Sequence, residues 1–312
     1  MSKLQRFLTT GVAVAAISLG GTAWAAAQPL VDVEWIKANS CGEGVRVLDI
    51  RNSLDGGSQT DYLRGHIPCA VYTDYMKDGW RAADQNKTPG QLAPTGNLEK
   101  LIGGLGIGNA THVVIVPAGK NALDMGSATR IYWTFKVLGH DNVSILNGGL
   151  AAYTKDEKNK LEKGNNKPEA VAFKADVRAD MVVSKEDVKA AMGNGVTLVD
   201  NRPNDQYIGI NRHPKAKRSG TIPGSLNLPE NWMTDNNGGS FRDGDTLKKL
   251  YALANVPTEG EVITFCNTGH WASLGWFAEH ELMGNQQAKL YDGSMVEWSA
   301  DESLPMEQKA KF

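Results

Sequence analysis

The sequence predicts an α/β protein built as two copies of one domain, each a parallel sheet with helices on both faces. Three observations carry that expectation. The order of segments in residues 31–153 recurs about 150 positions later, which marks an internal duplication. Within each copy, short apolar runs alternate with amphipathic stretches, the pattern of a parallel sheet wound by helices. At 312 residues the chain is also long enough for two separate cores.

The elements follow in order. Lys3 and Arg6 precede a mostly apolar or small stretch, residues 7–19, and Ala23-Trp24-Ala25 fits a small-x-small cleavage site, so residues 1–25 read as a secretory signal peptide and the protein as exported to the periplasm. Val31-Asp32-Val33-Glu34-Trp35-Ile36 opens the first copy much as Val183-Ser184-Lys185-Glu186-Asp187-Val188 opens the second. The apolar strands at 45–51 and 196–202 each end in acid-x-Arg, with Asp49 and Arg51 in one and Asp200 and Arg202 in the other. Gly65-His66-Ile67-Pro68-Cys69-Ala70 then matches Gly220-Thr221-Ile222-Pro223-Gly224-Ser225. A central strand follows, at 113–116 and at 262–265. Each copy closes on a glycine turn and an aromatic: Asn147-Gly148-Gly149 with Tyr153, and Asp292-Gly293 with Trp298. The first domain is thus expected over 26–154 and the second over 178–312, and the Lys-, Glu-, Asn- and Pro-rich segment 155–177 reads as a surface linker between them.

Composition narrows the function classes. A formal net charge of −2 gives no sign of a nucleic-acid partner, and no apolar run is long enough to span a bilayer, so no stable membrane association is expected. Of the three cysteines, Cys266 has no neighbour in sequence, which excludes a Cys-x-x-Cys redox pair. It ends the apolar run 262–265 and is followed by a tight loop, Asn267-Thr268-Gly269-His270-Trp271, before a helical pattern. A thiol there lies among the free N–H groups of a helix N-terminus, where the dipole favours the thiolate, the nucleophilic form. Parallel strands start at one edge of the sheet, so Cys41, four residues before the strand at 45, and Cys69, at the start of the next strand, can lie close together there. In an oxidising compartment they are expected to form a disulfide.

The ordered set of acid-x-Arg, Gly-(His/Thr)-Ile-Pro, strand-Cys-loop-helix and Gly-turn-aromatic, occurring twice, resembles the tandem rhodanese family of two-domain sulfurtransferases. The resemblance implies that the second domain is catalytic and the first inactive. Pro117 stands where the repeat would place a second thiol, and the first domain then walls one side of the cleft. It also implies a Cys266 persulfide formed without metal or organic cofactor, a small sulfur donor (thiosulfate or 3-mercaptopyruvate), and a thiol or cyanide acceptor. Related cysteine phosphatases use Cys-x5-Arg to grip a tetrahedral oxyanion; here the sixth residue after Cys266 is Ala272, so the clamp is missing. The loop matches neither the Arg- or Lys-containing loops of thiosulfate enzymes nor the neutral Cys-Gly-Ser-Gly type of mercaptopyruvate enzymes. Thr268 provides a hydroxyl, His270 a charge only when protonated, and Trp271 a wall or packing surface. The resemblance makes Arg218, just before Ser219-Gly220, the first candidate for holding an anionic donor, with Arg212 and Lys217 in the same basic run. Arg202 reads as structural, and Asp74 as a residue facing the cleft. Thiosulfate is the expected donor, on the ground of an extracytoplasmic setting. Alternatives are a 3-mercaptopyruvate sulfurtransferase and a non-catalytic sulfur carrier.

Overall fold

The computed structural model describes residues 27–311, so the segment read as a signal peptide, 1–25, lies outside the described residues. The first half runs β1 (Leu30–Val31), α1 (Val33–Asn39), β2 (Val45–Asp49), α2 (Gln59–Arg64), β3 (Val71–Tyr72), β4 (Arg81–Ala82), β5 (Gln91–Leu92), α3 (Thr95–Gly104), β6 (His112–Val116), α4 (Ala122–Val137), β7 (Val143–Leu146) and α5 (Gly149–Thr154). The second runs β8 (Val182–Val183), α6 (Lys185–Ala191), β9 (Thr197–Asp200), α7 (Asn204–Tyr207), β10 (Leu226–Asn227), α8 (Gly244–Leu253), β11 (Val262–Phe265), α9 (Ala272–Trp276), β12 (Ala288–Tyr291) and α10 (Ser294–Trp298). Past Trp276, α9 continues as a π-helical stretch, Phe277–Leu282.

Each half builds a five-stranded sheet whose pairings are all parallel, β1-β7-β6-β2-β3 in one and β8-β12-β11-β9-β10 in the other. The order is the same in both, with the opening strand at one edge, so the sequence duplication is also a duplication of topology. The central strands are continuous apolar runs because both faces are covered. All of β11 is buried, as is β6 after His112. A single apolar core joins the halves through α4 and α9. There Tyr132 meets the edge of Phe277 at 4.8 Å between centroids, and the Thr129 and Ser273 hydroxyls are hydrogen-bonded at 2.7 Å. All but two of the 16 residues of α4 are buried, as befits a helix covered on one side by its own sheet and on the other by α9 of the second half.

The acid-x-Arg pairs are structural in both halves. Arg51 donates to Asp49 and to the Gly65 carbonyl (2.8 Å), and Arg202 donates to Asp200 and to the Gly220 carbonyl (2.8 Å). Each guanidinium thereby ties the end of a strand to the glycine that opens the Gly-x-Ile-Pro segment. Asp200 and Arg202 are essentially inaccessible, so the pair has full charge compensation where an isolated charge would be costly.

Segment 155–177, read as a surface linker, runs mostly exposed between the two halves. It lies along the first half as a strap. Glu162 exchanges backbone hydrogen bonds with His66 (3.0 and 2.9 Å), its carboxylate accepts from the Cys69 N–H (2.6 Å), and Val171 N–H and Asp176 N–H donate to the Gly103 and Leu138 carbonyls. The reason is its apolar anchor: Phe173 is buried against Phe135 and His140. Cys41 and Cys69 form a disulfide with Cα atoms 5.3 Å apart, each just ahead of one of the neighbouring strands β2 and β3. Among the described residues no helix is long and apolar enough to cross a membrane.

Candidate active site

Cys266 follows β11 directly and is buried, only 1% exposed. Its loop turns on Gly269, whose φ of +72° belongs to the left-handed region; a side chain there would also strike the Arg130 guanidinium and the Asp292 carboxylate. The loop is pinned from behind by Ser294, which heads α10. The Ser294 hydroxyl oxygen accepts from the N–H groups of Cys266 (3.0 Å) and Gly269 (3.2 Å) and donates its own proton to the Tyr291 carbonyl (2.9 Å). Met295 and Val296 N–H groups cap the carbonyls of Cys266 and Asn267 (both 3.0 Å), and the Asn267 amide donates to Gln206 (2.9 Å). The N–H groups of Asn267, Thr268, His270 and Trp271 have no protein acceptor among the described residues. A curled loop with free N–H donors is an anion nest beside a thiol.

The half without a thiol completes the site. His270 is gripped by two of its groups: Nε2–H donates to the Leu123 carbonyl (2.8 Å), which fixes the tautomer, so Nδ1 accepts from the Tyr75 hydroxyl (2.9 Å). Burial, then the charges of Arg81 and Arg130, push its pKa down to about 3. His270 is therefore neutral and supplies no positive charge near neutrality, in contrast to the conditional cation read from sequence. The linkage has a definite sign. Since the folded pKa lies below the unfolded value of ~6.5, the neutral bonds contribute fully above pH ~6.5 and weaken as pH falls toward the folded pKa, by at most about 1.4 kcal/mol per pH unit. Wild-type stability is thus expected to fall more steeply between pH 6.5 and 4 than that of His270→Gln. Denaturant midpoints at a series of pH values check this. Glu230 and Glu279, each pushed up to about 7 by burial, titrate in both proteins and drop out of the difference.

A buried ion pair is the second cross-link. Arg130 of α4 places Nη1 2.6 Å from Asp292 Oδ1, donates Nη2 to the Gly90 carbonyl (3.2 Å) and rests its guanidinium on the Trp133 ring at 4.6 Å. The other Asp292 oxygen accepts from the Leu92 N–H (2.6 Å). The pair fastens the β4–β5 hairpin of the first half to the turn that supports the cysteine loop.

A cleft of about 260 Å³ opens over Cys266 between the halves. Asn267, Thr268, His270 and Trp271 line it with Cys266; Leu54, Met76 and Leu123 supply an apolar wall, and Arg81, His213 and Lys215 supply basic groups. Trp271 is half-buried and packs on the shared core while lining the cleft.

Arg218 and Arg212, the anion-holding candidates read from sequence, are not among the lining residues. Arg218 donates to the carbonyls of Ser299 (2.9 Å), Leu304 (2.8 Å), Asp301 (2.6 Å) and Trp298 (3.2 Å). It serves as a C-terminal clasp for α10, satisfying carbonyls that a helix end leaves free. Arg212 is exposed and closes its own loop onto the Ala216 carbonyl (3.2 Å), while Lys217 is held through its backbone N–H by Ser299. Lys215 and His213, from the same run, are the members that reach the cleft. Asp74 also turns away: its carboxylate accepts from the Met76 N–H (2.9 Å) and pairs with Lys77 (3.4 Å) in its own turn. Sequence reasoning passed over Ser294, Arg130, Tyr75 and Arg81. Only Asp292-Gly293, noted as a closing turn, pointed toward them.

Residues 32–156 and 184–301 match the rhodanese-like domain family. Among relatives, a thiosulfate sulfurtransferase of Bos taurus is 31% identical over 281 residues, covering 86% of this chain and 91% of that protein. Among solved structures, the 3-mercaptopyruvate sulfurtransferase SseA of Escherichia coli superposes with a TM-score of 0.73 at 27% identity, covering 86% of this chain and 98% of that one. An ergothioneine biosynthesis enzyme of Chlorobium limicola shares the fold, with a TM-score of 0.75 at 22% identity over 91% of this chain and 71% of that one. With two matching domains in tandem and its one free thiol at the end of the central strand of the second, the chain belongs to the rhodanese-like family.

Proposed function

We propose that the protein is a sulfurtransferase that moves sulfane sulfur from thiosulfate to a thiol or cyanide through a Cys266 persulfide. The observation that carries the reading is the placement of a single free thiol on a loop of unpartnered N–H groups, at the floor of a cleft whose charged lining side chains are basic. The Cys266 thiolate attacks the outer sulfur of thiosulfate, the donor's S–S bond breaks, and its electron pair leaves with sulfite. The persulfide anion then rests against the free N–H groups, which take the place of water. An acceptor thiolate or cyanide attacks the terminal sulfur, forming an acceptor persulfide or thiocyanate and returning Cys266 as thiolate. No metal or organic cofactor enters these steps.

The name of the bovine relative supports thiosulfate as donor. The likeness to SseA and the Thr268 hydroxyl in the loop support 3-mercaptopyruvate as the second reading. Export to the periplasm belongs to the same proposal, supported by the basic-apolar-small pattern of residues 1–25 and by the Cys41–Cys69 disulfide. Intact-mass spectrometry tests the function. Exposure to the true donor is expected to add one sulfur, about 32 Da, to the Cys266 peptide, and cyanide to remove it. Repeated turnover separates an enzyme from a carrier that loads once. No added mass from either donor would end the proposal.

A further inference from the structure

We infer that Arg81, supplied by the half that lacks the thiol, binds the anionic end of the sulfur donor over Cys266; this rests on the sulfur-transfer reading above. Arg81 sits on the β4–β5 hairpin opposite Leu92. The hairpin is held in place against the second half, because Leu92 N–H is bonded to Asp292 and the Gly90 carbonyl to Arg130. The side chain is held too: its guanidinium lies over the Tyr75 ring at 4.8 Å, and that same Tyr75 hydroxyl grips His270.

What is left free points to a ligand. Among the described residues Arg81 has no carboxylate partner, its Nη2 reaches only the Met76 sulfur (3.6 Å), and its Nη1 is buried without a hydrogen-bond acceptor. Nη1 lies 3.3 Å from the point where a Gly90 side chain would begin, and Thr268 of the cysteine loop flanks the same point at 3.1 Å. Its charge is felt in the loop, for it is the largest electrostatic cause that keeps His270 neutral. A half-buried guanidinium with no counter-ion is costly unless the counter-ion arrives with the ligand. Its planar fork matches the paired oxygens of a sulfonate or carboxylate. Lys215, across the cleft, is exposed and more heavily screened, so it assists entry more than it fixes geometry. As the donor's S–S bond breaks and charge moves onto departing sulfite, Arg81 remains on the sulfite oxygens while the new persulfide sulfur stays on the loop. The half without a nucleophile therefore reads the donor.

Full-length Arg81→Gln and Arg81→Lys, assayed for sulfur loading by thiosulfate and for discharge of the loaded protein by the neutral thiol 2-mercaptoethanol, test the role. Arg81→Gln is expected to lower kcat/KM for thiosulfate about ten- to a hundredfold, mainly through KM, and to weaken sulfite product inhibition in parallel. Arg81→Lys should restore part of both, and discharge should change far less than loading. Unchanged loading would overturn the inference. Equal losses in loading and discharge would also overturn it, since Arg81 would then act only by shaping the loop through Tyr75. Failure of the wild-type protein to take sulfur from thiosulfate or 3-mercaptopyruvate would instead remove the sulfur-transfer reading itself.

Discussion

Cys266→Ser is expected to lose sulfur transfer by at least about a thousandfold while keeping its fold. Cys41 and Cys69 are bridged, so the only free thiol goes with the substitution and the native protein should no longer react with thiol reagents. A serine hydroxyl is protonated at neutral pH and forms no persulfide, so the loop would keep its N–H donors but lose the atom they serve. The change in stability should be small, because the new buried hydroxyl finds unpartnered N–H groups beside it. Steady-state transfer from thiosulfate to cyanide, with denaturant unfolding as control, makes the comparison. Residual turnover near the wild-type level would place the sulfur on some other group and end the mechanism.

Arg130→Met is expected to be the most damaging substitution away from the thiol. Arg130 and Asp292 are both almost fully buried, and among the described residues the change leaves the carboxylate with only the Leu92 N–H for compensation. Breaking one partner of a buried pair costs about 3–5 kcal/mol, because the surviving charge stays desolvated. The loss should appear as a lower denaturant midpoint at unchanged slope, together with slower transfer, since the same pair seats Gly269 and the β4–β5 hairpin. Adding Asp292→Asn to Arg130→Met removes the stranded charge and should recover part of the stability, with less recovery of activity. A single variant as stable as wild type would show that the interface is held by α4 and α9 alone.

Much of the protein was legible along the chain because the determinants are local or periodic. Buried strands such as Val262–Phe265 declare themselves as apolar runs. Asp200 and Arg202 meet across two residues of extended backbone, so acid-x-Arg carries its own geometry. The thiol's place follows from one strand ending and one helix starting. The disulfide followed from the rule that parallel strands begin at a common edge, which needed only that β2 and β3 be neighbours.

The charges of the cleft were decided by tertiary structure. Arg218 and Lys215 stand three residues apart in one basic run, yet one is spent on the carbonyls behind α10 and the other reaches the cavity. Nothing in loop composition sets which way each side chain points. His270 owes its neutrality to Leu123 and Tyr75, which are 147 and 195 residues away in sequence. Arg81 and Arg130 reach the cysteine loop only because α4 and the β4–β5 hairpin pack against the other half. The sequence by itself determined two sheets of equal topology and a thiol at the tip of the second, since backbone periodicity and strand order are written in runs of neighbouring residues. Which cations serve that thiol depended on how the two surfaces meet, because desolvation and Coulomb interactions follow distance in space rather than position along the chain.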